Sequence, residues 1–206
     1  MFGCLDLGLI AGYSRDEAFL VRTAAIVADL KARHPGILYV CDPVLGDNGR
    51  YYIPRELLPI YQSTVVPLAD VLTPNAFELG ELSEVTISGE ADCIVAIDVL
   101  HDKGVARVVV TSGIPSSDDA HIVCIASTRN DDGSHTRRRF KFAKQGGSYC
   151  GTGDLFASLL VVWLTECDGN LAEAVGHVLA ALQDVIRVTQ EHLTPSPPRV
   201  PCRSCG

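Results

Sequence analysis

The feature that most constrains the fold is a repeated order along the chain: a short apolar segment, a polar turn, then an amphipathic stretch. Four such apolar segments are predicted as buried strands, at residues 5–11, 37–41, 70–72 and 107–110. Strands that alternate with helices build a mainly parallel sheet with right-handed crossovers and helices on its faces. The sequence therefore predicts an α/β fold in a single domain, residues 1–193, with no internal linker.

Apolar periodicity and capping residues predict the helices between these strands. Ser14 is predicted to cap the first helix, with Glu17 completing a capping box and one buried face formed by Phe19, Thr23, Ile26, Val27 and Leu30. Further helices are predicted at 55–61, 77–82, 90–101, 155–164 and 171–192. Two strand-like runs, 121–126 and 136–142, flank a polar loop and predict a β-hairpin near residues 120–143.

Composition excludes several classes of protein. The 206 residues are 47% hydrophobic and carry a net charge of −8, which is typical of a folded domain and argues against a nucleic-acid partner. No apolar run is long enough to span a bilayer, and the first residues lack the positive charge of a signal peptide. The eight cysteines are scattered, several within apolar runs, which favours reduced thiols and a cytoplasmic location.

The C-terminal residues 194–206 form a Pro/Cys tail that the sequence predicts to be mobile. Its Cys202 and Cys205 make a single CxxC, and without a second pair of ligands this does not predict a zinc site.

The segment Gly151-Thr152-Gly153-Asp154 precedes a strongly apolar helix that we expect to be buried on nearly every face. Glycines at a helix start let a ligand approach the backbone, and the first amides of a helix have no partner within it. These properties predict an anion site suited to phosphate. Asp154 in the first turn could accept a proton from an attacking hydroxyl, or it could be an ordinary helix cap.

Polar residues follow all four predicted strands, at 12–13, 42–47, 73–75 and 111–113. The carboxyl ends of parallel strands meet at one edge of the sheet, where ligands bind. Asp42, Asp47 and Glu78 would then lie beside the phosphate site, and such oxygen ligands suit Mg²⁺. This predicts a small-molecule kinase, although a hydrolase that uses the same carboxylates stays open.

Several motifs together resemble the pyridoxal kinase family of ribokinase-like, ATP-dependent enzymes. The resemblance covers about residues 12–189 and rests on these segments: 39–47 (YVCDPVLGD), 52–59 (YIPRELLP), 66–75 (VPLADVLTPN), Glu78, Thr111-Ser112 and 151–156 (GTGDLF). It implies a ribokinase-like fold and transfer of the ATP γ-phosphate to the 5′-hydroxymethyl group of pyridoxal, pyridoxine or pyridoxamine, in vitamin B6 salvage. The family commonly forms homodimers.

The resemblance also implies roles for individual residues. Asp154 would be the catalytic base and would also contact the vitamer, with Gly151, Thr152 and Gly153 forming the anion hole. Tyr13 would pack on the pyridine ring, beneath a loop that contains Tyr52. Asp47 and Glu78 would hold Mg²⁺, directly or through water. Asp42, Thr73 and Thr111 match positions near the nucleotide phosphates and a monovalent cation (K⁺ or Na⁺). The nucleotide would be contacted by the same five residues together with Asn75, Ser112, Gln145, Gly146, Gly147, Thr152 and Gly153.

The chain also departs from the family pattern. It begins where the family is about a third complete, so the first strands and most of the vitamin pocket would be absent, and it diverges after about residue 197. From this we expect the chain alone to be a poor pyridoxal kinase that self-associates. A non-catalytic nucleotide-binding protein and a hydroxymethylpyrimidine kinase remain alternatives.

Overall fold

In a computed structural model, which describes residues 8–147 and 149–193, the chain folds around a six-stranded sheet in the order β1-β2-β5-β6-β7-β8. Strands β1, β2, β5 and β6 are parallel, and β7 and β8 are antiparallel to their neighbours. The strands are β1 (Gly8–Ala11), β2 (Leu38–Cys41), β5 (Val71–Leu72), β6 (Arg107–Val110), β7 (His121–Arg129) and β8 (His135–Ala143), with β3 (Gly46–Asp47) and β4 (Arg50–Tyr51) pairing separately.

Helices cover both faces of this sheet. They are α1 (Glu17–Arg33), α2 (Leu58–Ile60), α3 (Ala76–Ser83), α4 (Glu90–Asp102), α5 (Thr152–Glu166) and α6 (Leu171–Leu193). Alternate residues of a strand point to opposite faces. Thus Tyr39 and Cys41 join the core beneath α1, α3 and α4, whereas Val40 joins the core beneath α5 and α6. The predicted α/β class, with a mainly parallel sheet and a hairpin, is confirmed.

The first helix begins differently from the prediction. Asp16, not Ser14, is its N-cap, and the Asp16 carboxylate accepts a hydrogen bond from the Phe19 amide at 2.7 Å. The predicted buried face is also wrong except for Val27, since Phe19 and Ile26 are exposed and Thr23 and Leu30 are only partly buried. The buried positions are Leu20, Ala24 and Val27, a spacing of four and three residues that fits one helix face.

Two further predictions about burial are wrong. β1 alternates between exposed and partly buried residues, because it pairs only with β2 among the described strands and so forms a sheet edge. Helix α5 buries Phe156, Ala157, Leu160 and Leu164 on one face, whereas Val162 on the other face is 56% exposed. The apolar residues of α5 therefore do not make the helix buried on every face.

The segment predicted as a helix over 55–61 is helical, and the helical conformation continues to residue 68 in short pieces with different hydrogen-bond patterns. These pieces are Arg55–Leu57, α2, Tyr61–Val65 and Val66–Leu68, and Pro59 and Pro67 lie near the starts of the second and the fourth. A proline has no amide hydrogen to donate, so each one interrupts the backbone hydrogen bonds of a regular α-helix and is tolerated best near the start of a helical piece.

The hairpin is longer than predicted at its loop end, and β8 is mostly exposed. The predicted strand residues 5–7 and the predicted mobile tail lie outside the described residues. Among the described helices, none combines the length and apolarity needed to cross a membrane.

One buried histidine connects helix α4 to the hairpin. His101 is fully buried, its Nδ1 lies 2.7 Å from the Val105 carbonyl oxygen, and its Nε2 lies 2.9 Å from Ser127 Oγ. The Val105 carbonyl can only accept, so Nδ1 carries the proton and Ser127 donates to Nε2. Burial lowers the pKa of His101, because the charged ring would lose its hydration, and the nearby His135 adds to that effect.

This arrangement predicts that His101 contributes stability that is lost in mild acid. The unfolded chain binds a proton at His101 near pH 6.5 and the folded chain does so only at lower pH, so this contribution is present above pH 6.5 and is lost as the pH falls. We expect His101→Asn to lower the slope of unfolding free energy against pH between 7.5 and 5.5, relative to the parent chain, by up to about 1.4 kcal/mol per pH unit. Denaturant titrations measure this. The control His34→Gln, at an exposed histidine, should keep the original slope; an unchanged slope in His101→Asn would contradict the prediction.

Candidate active site

The carboxyl ends of the parallel strands bring the predicted polar residues to one edge of the sheet. Backbone hydrogen bonds join each strand end to the next, from Asp42 N to Ala11 O at 2.9 Å, from Thr73 N to Cys41 O at 3.0 Å, and from Thr111 N to Pro74 O at 3.0 Å. The turns after β1, β2, β5 and β6 therefore lie side by side.

Helix α5 begins at this edge with the geometry of an anion site. Its N-cap, Gly151, has a φ of 84°, a conformation that favours glycine, and no side chain caps the helix start. The first intrahelical bond is donated by Leu155 N to Gly151 O at 3.0 Å. The amides of Thr152, Gly153 and Asp154 precede it, so they have no acceptor within the helix and the positive end of the helix dipole lies with them.

Asp42 lies against this helix start. A methyl group built on Gly153 would be only 3.1 Å from Asp42 Oδ2, so the absence of a side chain lets the two elements approach. Burial, together with the negative charge of Asp154, raises the pKa of Asp42 to about 6, and the Thr73 hydroxyl, 3.5 Å away, works in the opposite direction. A buried carboxylate beside an anion site is unfavourable unless a cation lies close to it.

The Asp154 side chain is exposed and does not cap its own helix. Among the described residues, its carboxylate accepts no hydrogen bond. The Gly12 Cα lies close by, since a methyl group built on Gly12 would be 3.8 Å from Asp154 Oδ1. The interpretation of Asp154 as a simple helix cap is therefore wrong, and its carboxylate faces the turn after β1.

Glu78 is buried, and both its oxygens accept backbone amides. Oε2 accepts from Asn75 N at 2.9 Å, and Oε1 accepts from Leu45 N at 2.9 Å and Gly46 N at 3.4 Å. In return Glu78 N donates to Asn75 Oδ1 at 2.9 Å, which completes a capping box at the start of α3. Burial raises the pKa of Glu78 to about 8, the three amides oppose that rise, and Asp42 adds to it.

Asp47 lies on the other side of this loop. Its carboxylate accepts from Asn48 N at 2.8 Å and from Asn48 Nδ2 at 3.0 Å. The turn after β6 approaches it at Gly113, where an added methyl group would lie 3.8 Å from Asp47 Oδ1. Asn75 Nδ2 donates to Gly46 O at 2.8 Å, which fixes β3 and therefore Asp47 against α3.

Other predicted nucleotide contacts fall into two groups. Thr111 Oγ1 donates to Pro74 O at 3.4 Å, and Ser112 O accepts from Ala76 N at 2.9 Å, so both lie in the turn packed on α3. Gln145, Gly146 and Gly147 lie apart from the carboxylates, beside α6, where Gln145 Nε2 donates to Gln183 Oε1 at 3.0 Å. In the described structure no hydrogen bond joins this second group to the carboxylates.

Tyr13 and Tyr52, both half exposed, are linked across the mouth of the site. The Tyr13 hydroxyl donates to the Tyr52 carbonyl at 3.3 Å. Beneath Tyr13 lies a cavity of about 240 Å³ between α1 and the sheet, bordered by Gly12, Tyr39 and Tyr61. The cavity is mainly apolar and the Tyr61 hydroxyl has no hydrogen-bond partner among the described residues.

Sequence reasoning missed Gly12 and Gly113, which set the spacing between strand ends. Gly113 has a φ of 78°, so its turn favours glycine, and its Cα also lies close to the amide of Ala76. A glycine within the turn that follows a predicted strand is the only signal of this role in the sequence.

The arrangement can bind an anion beside carboxylates that favour cations, with Asp154 exposed nearby. Comparison with known proteins assigns the chain to a family. The family described as phosphomethylpyrimidine kinase matches residues 19–196. The chain belongs to this family.

The relatives it resembles include pyridoxal kinases, which confirms the resemblance seen in the sequence. A putative pyridoxal kinase of Caenorhabditis elegans is 50% identical over 89% of this chain and 56% of its own length. The pyridoxal kinase of Homo sapiens is 38% identical over 88% of this chain and 61% of its own length. The chain thus spans less than two thirds of these relatives.

Solved structures agree with the sequence relatives. Pyridoxal kinase from Leishmania donovani, in complex with ADP and pyridoxamine, matches with a TM-score of 0.81 at 34% identity, over 89% of this chain and 62% of that one. Plasmodium falciparum PdxK, with the ligands AMP-PNP and PL, matches with a TM-score of 0.83 at 28% identity, over 89% and 66%. The predicted ribokinase-like fold is therefore confirmed.

The contact between Gly153 and Asp42 predicts a variant that keeps its thermal stability but binds nucleotide more weakly. In Gly153→Ala the new methyl group forces the Asp42 carboxylate to shift by a few tenths of an ångström. Alanine is favoured over glycine in a helix by roughly 0.5–1 kcal/mol, so thermal stability should hold. We expect at least a tenfold loss of affinity for Mg²⁺·ATP, measured by calorimetry.

The matched control is Gly176→Ala, in α6, where the added methyl group meets Phe140 at an ordinary 3.8 Å. It should bind nucleotide like the parent chain. Equal affinities for the two variants would show that the close approach to Asp42 has no part in binding.

Proposed function

We propose that this chain is the nucleotide-binding and phosphate-transfer part of a pyridoxal kinase. The reaction is transfer of the γ-phosphate of ATP to the 5′-hydroxymethyl group of pyridoxal, pyridoxine or pyridoxamine. One observation carries the proposal: the free amides at the start of α5, the buried Asp42 and the exposed Asp154 meet at one sheet edge. The names and bound ligands of the relatives support the choice of substrates.

In this proposal Asp154 is the catalytic base. It lies in the first turn of α5 and, in the described structure, its carboxylate is committed to no hydrogen bond, so it is available to a substrate hydroxyl placed near Gly12. Removing the hydroxyl proton makes that oxygen a better nucleophile toward the phosphate. The proton stays on the Asp154 carboxylate until product leaves.

The amides of Gly151, Thr152 and Gly153 would receive the charge on the transferring phosphate. Backbone donors fixed by a helix need no rearrangement at the moment of reaction, which is the condition under which such groups accelerate a reaction most. Tyr13 would pack on the pyridine ring, and its hydroxyl already holds the segment at Tyr52 over the mouth of the site.

The residues fit a divalent and a monovalent cation. The donors are hard oxygen atoms, and the raised pKa values of Asp42 and Glu78 mark two buried carboxylates that lack a positive partner among the described residues. Glu78 is buried and both its oxygens accept amides, so it would act on Mg²⁺ through water. Asp47 is only partly buried and bonds only its neighbour Asn48, so it is accessible for closer contact. Mg²⁺ would neutralise charge on the phosphates. Asp42, Thr73 and Thr111 would hold K⁺ or Na⁺.

The nucleotide itself would be contacted by residues from three turns. Asn75, Ser112 and Thr152 would contact ATP, and Gln145–Gly147, beside α6, would border the adenine ring. A homodimer and a cytoplasmic location complete the proposal, together with a single kinase domain over 1–193 and a Pro/Cys tail over 194–206.

The proposal predicts that the chain binds ATP only when Mg²⁺ is present. The motivation is the gathering of Asp42, Asp47 and Glu78 beside the α5 amides, where an ATP tetra-anion without a metal would be repelled. Calorimetric titration with ATP, with Mg²⁺ and then with EDTA, measures this. Absence of heat and of any thermal shift at millimolar Mg²⁺·ATP would reject nucleotide binding altogether.

The proposed role of Asp154 as the base predicts the effect of Asp154→Asn. This variant keeps the size of the side chain but removes the base, and loss of a general base costs about 10²–10⁴-fold in rate. Pyridoxal 5′-phosphate formation should fall by that factor, while Mg²⁺·ATP affinity changes less than threefold. The assay compares parent and variant side by side, so that the readout is the ratio of the two rates and not the absolute rate of a chain that spans less than two thirds of its relatives' length.

The control is Asp102→Asn, which makes the same chemical change at an exposed position at the end of α4. It should leave turnover unchanged. If Asp154→Asn keeps turnover within a few-fold of the parent, another group takes the proton.

A second candidate is phosphorylation of hydroxymethylpyrimidine, which the description of the matching family favours. Both substrates offer a hydroxymethyl group on a nitrogen heterocycle. Parallel assays with pyridoxal and hydroxymethylpyrimidine decide between them. Mg²⁺·ATP binding without turnover of either substrate would instead favour a non-catalytic nucleotide-binding role.

A further inference from the structure

The junction between α5 and α6, at the far end of α5 from the proposed active site, gathers three side chains that bind transition metals. One atom each of Cys167, Glu173 and His177 lie within 4.8 Å of one another. The rise of an α-helix places this junction roughly 20 Å from the start of α5, so it is independent of the phosphate site.

The backbone of the junction fixes Cys167 beside α6. Cys167 ends α5, and the next two residues, Asp168 and Gly169, both have positive φ, at 51° and 79°. Gly169 N then donates to Leu164 O at 2.8 Å, which closes the turn. The turn therefore returns the chain sharply, and α6 begins four residues after Cys167.

The two ligands on α6 share one face of that helix, because residues four apart lie one turn above each other. Each is held by a neighbour. Asn170 Nδ2 donates to Glu173 Oε2 at 3.2 Å, and the His177 ring stacks on Trp163 with ring centroids 4.1 Å apart and an interplanar angle of 13°. Such supporting contacts are what orient metal ligands in proteins.

The charge around Cys167 favours a cation. Partial burial raises the pKa of the Cys167 thiol, and the carboxylates of Glu173, Asp168 and Glu166 raise it further. These three carboxylates place negative charge around the Cys167 sulfur. A divalent metal would be attracted to them and would stabilise the thiolate.

We propose that Cys167, Glu173 and His177 form a binding site for a divalent metal of the zinc class. A thiolate, an imidazole and a carboxylate are the ligands that Zn²⁺ takes in proteins, and three protein ligands leave the fourth tetrahedral position to water. Bond lengths of about 2.0–2.3 Å place tetrahedral ligand atoms about 3.4–3.7 Å apart. The observed separations, up to 4.8 Å, need only small rotations of exposed or partly exposed side chains to reach this.

The experiment uses the only tryptophan of the chain as a reporter. Because Trp163 stacks on His177, Co²⁺ bound at this site should quench its fluorescence, and Zn²⁺ added afterwards should restore it. The titration is run on the full chain and on Cys202→Ser/Cys205→Ser, which removes the CxxC of the tail. We expect the same quenching in both, with one metal per chain and a thiolate-to-cobalt absorption band.

Variants separate this site from adventitious binding. Cys167→Ser and His177→Gln should each weaken Co²⁺ affinity at least tenfold, whereas the controls Cys150→Ser, at the other end of α5, and His34→Gln should not. Quenching that survives Cys167→Ser, or that disappears with the tail cysteines, would overturn the proposal.

A measurement on the unaltered chain removes any dependence on how the variants fold. Zn²⁺ should slow alkylation of Cys167 by iodoacetamide at least tenfold, read by peptide mass spectrometry, and should leave Cys150 unprotected. Equal alkylation of Cys167 with and without Zn²⁺ would reject the site.

Discussion

The candidate active site depends on one buried carboxylate. Glu78 accepts hydrogen bonds from the amides of Asn75, Leu45 and Gly46, and so ties the turn after β5 to the loop after β2. Hydrogen bonds to a charged group contribute roughly 1.5–3 kcal/mol each, and a lost acceptor would leave buried amides unpaired. No other described side chain joins these two loops through so many bonds. Asp42, Asp47 and Asn75 all lie on backbone that Glu78 holds in place.

This role changes how the acidic character of the site is understood. Asp42 and Glu78 are buried for reasons of architecture, since one lies against Gly153 and the other anchors two loops. Their burial raises both pKa values, because a charged carboxylate loses its hydration there, and a cation bound nearby would lower them again. The same carboxylates would repel a bare phosphate. A phosphate at this edge of the sheet would be attracted by the α5 amides and repelled by the carboxylates. Cations bound between the carboxylates and the phosphate would remove the repulsion.

Much of this could be predicted from sequence because parallel strands have a simple rule. Apolar segments followed directly by polar turns indicate strand ends, and the topology then brings Asp42, Thr73 and Thr111 together without further information. What failed depended on choices between close alternatives. Ser14 and Asp16 can both cap a helix, and the two choices shift which residues of α1 face the core. Phe19 and Ile26 are as apolar as Leu20, so composition could not decide between the faces.

The contacts that position the site were out of reach for a different reason. Whether Glu78 binds a metal or anchors amides depends on which backbone groups surround it, and residue type is the same in both cases. The close approach of Gly153 to Asp42, and of Gly12 to Asp154, joins residues more than a hundred positions apart. A glycine in the sequence indicates that another group approaches the backbone closely, but it does not identify that group.

Helix α5 shows why the phosphate site and the core cannot be separated. Phe156, Ala157, Leu160 and Leu164 lock its inner face onto the core, and this packing fixes where the amides of its first turn lie. Protein interiors are close-packed, so a shift of the helix by even half an ångström is resisted along its whole length. The anion site is consequently as rigid as the core itself. Gly153 at its start carries no side chain, which lets that rigid end lie directly against Asp42, so packing sets the distance between the free amides and the Asp42 carboxylate.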